Sequence, residues 1–257
     1  MSVIAVITND ETEVFQREVI VGIRKYVEGT GFQLQVQHDA RHLEGALGVL
    51  VIANVLNDDT LRQLYHSGKP LSLVSHQVED VPIPAVIPDN IGGMNQIVDY
   101  LVVTRGRRKI VFIQGDMNQN DGQERAYAFR RQLMRHNMDV DTIPFLRGDF
   151  IPAVAVESLR EFLSHEIDFD AVAAADYLMA VAVLEVLRSS GRRIPDDVCV
   201  IGFGDGPEAA RHQLTTVGVD VEQLGYRAAR QLMGQIKASK IRGATVLSTN
   251  LVERDSC

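Results

Sequence analysis

Residues 171–206 read AVAAADYLMAVAVLEVLRSSGRRIPDDVCVIGFGDG, and this stretch decides the fold. Residues 171–175 are a short apolar run that stops at Asp176. Apolar residues then recur at Leu178, Val181, Ala182, Leu184, Val186 and Leu187, close to the helical period. Ser189, Ser190 and Gly191 end that helix, and Pro195 lies beyond it. Residues 198–203 are β-branched and apolar on both faces, as in a strand buried inside a parallel sheet, and Asp205 and Gly206 close them. The order is strand, helix, strand, with a carboxylate after each strand. In an open parallel sheet that C-terminal edge is where ligands bind.

The same alternation runs outward in both directions. Residues 2–8 (SVIAVIT) predict a first strand, followed by the polar loop Asn9-Asp10-Glu11-Thr12-Glu13. A helix over 14–28 places Phe15, Val19, Gly22 and Ile23 on one side and ends at Gly29 and Gly31. Residues 32–37 (FQLQVQ) alternate as a second strand. Strands at 48–53 and 71–74 flank an amphipathic helix at 58–67, and His76 follows the latter strand. The proline-interrupted residues 81–88 fit an edge strand or a crossover. Beyond them come a helix at 94–104, strands at 110–113 and 140–145, and a helix at 153–164. On the far side of the opening stretch, 208–213 is a short connection, 221–237 a helix and 244–254 a terminal strand.

Composition restricts the function. The chain has 257 residues, 46% hydrophobic and 23% charged, with a net charge of -8. It is long enough for two lobes, and an acidic surface disfavours direct binding to a phosphate backbone. The basic run at 105–109 reads as a solvated turn, since no aromatic residue is interleaved with it. There is no apolar run of membrane-spanning length and no leader, so a cytoplasmic protein with no membrane partner is expected. Cys199 and Cys257 lack metal-site spacing, and no structural disulfide is expected. No dinucleotide fingerprint, Walker loop, GxSxG elbow or HExxH is present, so no enzyme activity, cofactor or metal is expected.

Several motifs in order resemble the effector-binding domain of the LacI/GalR family of bacterial transcription regulators, which has the periplasmic-binding-protein-like fold. They are Ala174-Ala175-Asp176 with Met179-Ala180, Arg193-Ile194-Pro195-Asp196-Asp197-Val198, Ile201-Gly202-Phe203, and Leu214-Thr215-Thr216-Val217. Glu124-Arg125 with Phe129, Arg147-Gly148-Asp149-Phe150 and the closing Arg254-Asp255-Ser256 extend the likeness over essentially the whole chain. The resemblance implies an α/β fold of two doubly wound parallel-sheet lobes (type I) joined by three crossovers. It places residues 1–88 and 218–243 in the N-terminal lobe, and residues 89–217 and 244–257 in the C-terminal lobe. The first loop would touch ligand through Asp10, Thr12 and Phe15. Arg125 would reach the ligand with its guanidinium fork, Asp176 and Asp205 would accept from it, and His76 and Phe150 would line the pocket. Residue by residue, bland readings stand beside these: Asp176 as a helix cap, Phe15 as core packing, His76 as a locally bonded loop residue.

Three departures from the family stand out. Only about ten residues link the second and third strands, where the family has a helix. Ala175 and Gly204 replace two side chains that commonly bond sugar hydroxyls, so the pocket should be roomier and less hydroxyl-specific. The family's N-terminal helix-turn-helix is not seen, since Ser2 already starts a strand, and DNA would be reached only through such a domain. The expected function is sensing of a small polar ligand, a sugar or related molecule, by a regulator that works as a homodimer. The alternatives are the sensor of another multidomain signalling protein, such as a kinase or nucleotide cyclase, or a stand-alone solute-binding protein.

Overall fold

The computed structural model describes residues 2–237 and 241–257. Residue 1 and residues 238–240, which the sequence reading puts in the first lobe, lie outside them. The chain divides into two compact units, Met1–Pro88 with Asp220–Leu247, and Asp89–Val219 with Ser248–Cys257.

In the first unit the chain runs β1 (Ser2–Ile7), α1 (Val14–Val27), β2 (Phe32–Gln37), β3 (Ala46–Ile52), α2 (Asp58–His66), β4 (Leu71–Val74) and β5 (Ala85–Pro88). The second unit continues with α3 (Asn90–Asp99), β6 (Ile110–Ile113), α4 (Asn120–Arg135), β7 (Phe145–Leu146), α5 (Pro152–Leu163), β8 (Ala171–Ala174), α6 (Tyr177–Ser189), β9 (Cys199–Phe203), α7 (Pro207–Arg211) and β10 (Thr215–Gly218). The chain then returns to the first unit for α8 (Val221–Ile236) and β11 (Ala244–Leu247), and ends in the second with β12 (Asn250–Val252).

Each unit holds a six-stranded sheet, and the two orders correspond: β11-β5-β4-β3-β1-β2 and β12-β10-β9-β8-β6-β7. All pairings are parallel except β10 with β12. These are the doubly wound lobes the sequence predicts. The central strands β8 and β9 are buried at every position, which explains their lack of alternation. In the first unit α1 and α8 approach backbone to backbone. A Cβ on Gly22 would lie 1.9 Å from the Glu222 carbonyl oxygen, and one on Gly225 would lie 2.0 Å from that of Val19.

Five sequence expectations are corrected. Residues 244–254 are two strands on different sheets. Gln96 Nε2 donates to the carbonyl and hydroxyl of Thr249, so that residue leaves the ladder, and β11 pairs in parallel with β5 in the first unit. That partner makes β5 an interior strand despite its prolines. Residues 140–142 form a 3-10 turn rather than a strand, leaving only Phe145 and Leu146 in β7. The connection after β9 contains a short helix, α7, begun by Pro207 at its first turn.

The fifth correction is a disulfide between Cys199 and Cys257, whose Cα atoms lie 4.4 Å apart. Val200 N–H donates to the Ser256 carbonyl, and the Ser256 hydroxyl donates to the Val200 carbonyl. The tail is thereby held along β9. The Tyr100 hydroxyl also donates to the Cys257 carbonyl, from the π-helical turn (residues 100–104) that ends α3. A separation of 58 residues gives no such signal in the sequence.

Candidate ligand-binding site

In the second unit, β6, β8 and β9 end side by side because they are parallel and in register. Arg125 stands on the second turn of α4, the helix that follows β6. It is 8% exposed. Its Nε donates to Asn90 Oδ1 at 2.8 Å, one terminal nitrogen to the Ala175 carbonyl at 2.8 Å, and the other to Asp121 Oδ2 at 3.0 Å. Asn90 in turn donates to Asp121 and Glu124. A guanidinium has five N–H donors, so two remain for another acceptor. A buried cation held by carboxylate and amide partners is costly to disturb and stiff in position.

Two rings flank that guanidinium, Phe203 with its centroid 4.0 Å from Cζ and Phe150 at 5.5 Å. Phe150 is delivered by a strained loop. Asp149 and Phe150 have φ of +54° and +60°, a region that costs non-glycine residues about 1–3 kcal/mol each. Gly115 leaves room for the ring, since a Cβ there would meet Phe150 Cζ at 2.1 Å. A packed aromatic beside a fixed cation suits a ligand with both an acceptor and an apolar face.

The two carboxylates of the opening stretch differ. Asp176 caps α6, its Oδ1 accepting from Leu178 N–H at 2.8 Å and Met179 N–H at 3.0 Å. Asp205, expected to accept from ligand, is instead gripped by Arg254: its two oxygens lie 2.8 and 2.9 Å from the two terminal nitrogens. The Thr216 hydroxyl donates to it as well. Arg254 leaves β12 across β10, which brings its fork onto this carboxylate. The bidentate pair leaves Asp205 little acceptor capacity.

In the first unit, β1 and β4 end on the same edge of their sheet. Asp10 accepts from the Thr12 hydroxyl at 2.6 Å and the Thr12 N–H at 2.8 Å. These bonds, the hydroxyl first, hold its carboxyl below the usual range, and both residues are exposed. Phe15 is half-buried in the first turn of α1, where Glu13 caps Phe15 N–H and Gln16 N–H. Gln16 is buried and bonds Thr8 and Asn9, which makes the loop after β1 a preformed structure. His76 is 5% exposed, its Nε2 2.9 Å from Asp58 Oδ1. Its Nδ1 and the hydroxyl of Ser75 are buried without a protein partner. Ser75 itself has φ of +52°. Buried polar atoms with no protein partner are available to a water or a ligand.

The structure thus brings Arg125 and Phe150 together, sets Asp176 one residue beyond the Ala175 carbonyl, and bonds Asp10 to Thr12. It gives Asp205 to Arg254. Sequence reasoning missed Phe203, Asn90, Asp121, Arg254, Gln16 and Ser75. Phe203 stood in a quoted motif, but its position over Arg125 depends on strand register. Among the described residues no cluster of three His, Cys, Asp or Glu could hold a metal, and no helix is long and apolar enough to cross a membrane.

Comparison with known proteins fits this geometry. Residues 98–257 match the model of the periplasmic binding protein-like domain. The HTH-type transcriptional regulator CelR of Thermobifida fusca is 32% identical over 95% of this chain and 76% of its own length. The HTH-type transcriptional repressor PurR of Mannheimia succiniciproducens is 27% identical over 98% of this chain and 79% of its own. Among solved structures, a CelR–cellobiose complex superposes with a TM-score of 0.86 at 30% identity, covering 100% of this chain and 84% of that one. A lac repressor dimer bound to operator and an anti-inducer shares the fold, with a TM-score of 0.88 at 19% identity over 100% of this chain and 94% of that one. With its two sheets in corresponding order and its motifs in family sequence, the chain belongs to the LacI/GalR family of transcription regulators, as a periplasmic-binding-protein-like effector domain.

Proposed function

We propose that this chain senses a small polar effector of the sugar class and passes the signal to DNA through a helix-turn-helix domain, as a homodimer in the cytoplasm. The observation that carries the reading is Arg125: a buried guanidinium with two uncommitted donors, fixed by three partners and flanked by Phe150 and Phe203. Asp176, Asp10, Thr12, Phe15 and His76 complete the proposed set, with Asp205 retained in it as the carboxylate that Arg254 holds. CelR, whose structure was solved with cellobiose, supports a glycoside longer than a single hexose. Neither Ala175 nor Gly204 supplies a side-chain partner for a sugar hydroxyl, which agrees with a ligand held mainly through other groups. No observation favours catalysis, and the relatives named above are regulators.

Titration calorimetry against mono- and disaccharides, nucleosides and small acids tests this. Arg125→Ala should weaken the effector by about 2–4 kcal/mol, since it removes charge-assisted bonds and strands a buried acceptor. Equal binding by wild type and variant would remove Arg125 from the site. Sedimentation at micromolar concentration should show a species of twice 28.5 kDa, and a monomer at every concentration would refute the dimer.

A further inference from the structure

The first unit carries an open groove of about 440 Å3 along α8, at the end where that helix meets α1 and β11. Arg227, Arg230 and Lys237 line it, and among the described residues no Asp or Glu does. In a chain of net charge -8 this is a local reversal. Each of the three cations is exposed, and none has an ion-pair or hydrogen-bond partner among the described residues. Lys25 and Glu222, nearby on α1 and α8, neutralise each other instead.

Two walls of the groove are held in place by contacts within the protein. Gln231 donates to the Thr245 hydroxyl at 2.8 Å and to the Ala85 carbonyl at 3.3 Å, which fixes one wall against the sheet. Tyr26 forms another wall, its ring held edge-on by Tyr226 with centroids 5.1 Å apart. Arg227 and Arg230 are one turn apart, and Lys237 stands about 10 Å further along the helix axis than Arg230 at 1.5 Å per residue. Guanidinium forks match phosphate oxygens, and a lysine acts as a point charge toward a second anionic group.

We propose that this groove binds a small organic bisphosphate, one phosphate on Arg227 and Arg230 and the other on Lys237, with the body of the molecule against Tyr26. The site is separate from the Arg125 cluster and independent of its ligand. The test uses the full chain with fructose 1,6-bisphosphate, inorganic phosphate and neutral fructose as probes, in calorimetry and thermal shift at 50 mM and 500 mM NaCl. The bisphosphate should bind at least tenfold tighter than inorganic phosphate, fructose should not bind here, and affinity should fall with salt. Arg230→Gln with Lys237→Gln should weaken the bisphosphate at least tenfold while the melting temperature without ligand stays within a few degrees. Arg125→Ala should leave it unchanged. Equal affinity for phosphate and bisphosphate means an adventitious ion only and overturns the proposal. So does bisphosphate binding that survives the double variant or disappears in Arg125→Ala. Failure of all three probes to bind, with an acidic polypeptide such as polyglutamate retained instead, also overturns it and assigns the groove to a protein partner.

Discussion

Between β7 and β8 the second unit builds α5, whose Ala155, Leu159 and Phe162 are buried against the sheet. At the corresponding place in the first unit, between β2 and β3, residues 38–45 contain no helix. Register shows how that face is closed. Gln33, Gln35 and Gln37 of β2 pair with Val3, Ala5 and Ile7 of β1, so they share the face on which Ala5 and Ile7 are buried. Where a helix would need apolar neighbours, β2 offers glutamines. Leu43 then joins Ala5, Ala46 and Val49 in one buried cluster, and Lys69 Nζ ties the loop by donating to the carbonyls of Leu43 at 2.8 Å and Ala46 at 2.7 Å. A lobe can lose a covering helix if one plug residue and a polar outer strand replace it. The opposite face then carries more of the burden, through the close α1–α8 crossing.

The sharpest way to break that contrast is Gly225→Ala. Alanine would gain about 1 kcal/mol of helix propensity. Its Cβ would sit 2.0 Å from the Val19 carbonyl oxygen, backbone that cannot turn aside, and overpacking of that kind costs about 3 kcal/mol or more. The net expectation is a loss of about 2–3 kcal/mol in urea unfolding. A neutral or stabilising result would mean that the two helices have room to separate, and the contrast between the faces would weaken.

Leu43→Ala sharpens it from the other side. Leu43 is 6% exposed, so a true plug should cost about 2 kcal/mol, approaching the 2–5 kcal/mol of a helix core leucine such as Leu159. If Leu43→Ala costs less than a quarter of what Leu159→Ala costs, the loop only lies over the sheet. Lys69→Met should cost about 1 kcal/mol, because two buried-side carbonyls lose their donor. Native-state hydrogen exchange should then speed up in residues 40–46 before any other part of the unit. Uniform acceleration instead would show that Lys69 holds no particular segment.

The short connection is legible in the sequence as a length, and FQLQVQ is legible as an alternating strand. That its glutamines lie on an uncovered face follows only from pairing with β1. The same division runs through the candidate site. Arg125 and Phe150 could be picked from local motifs, because each sits at a fixed offset after a strand. Asn90 is 35 residues from Arg125 and Ala175 is 50, so neither contact leaves a local trace. The pairing of Asp205 with Arg254 is hidden for the same reason, since Arg254 lies 49 residues later. The disulfide and the switch of β11 into the first sheet are likewise set by where the chain ends are pinned, not by any period in the residues.

The smallest expected effect concerns the charge at the α1–α8 face that the first unit relies on. Glu18, on α1, is half-buried, and burial raises its carboxyl above the ordinary range. Arg17 opposes that shift, while Glu13, Asp220 and Glu222 reinforce it. A raised pKa in the folded state means the fold favours the protonated acid. The favourable contribution is full below the ordinary glutamate value of about 4.3 and is lost as pH rises through the shifted value. At pH 7 the ionised group therefore works against the fold, by about a few tenths of a kcal/mol after solvent screening. Glu18→Gln should be slightly more stable than wild type at pH 7, and the gain should vanish near pH 4. Urea melts at both values decide it. A variant that loses stability at pH 7 would show that Glu18 has a favourable partner there, and one that gains the same amount at pH 4 would show that the gain does not come from its charge.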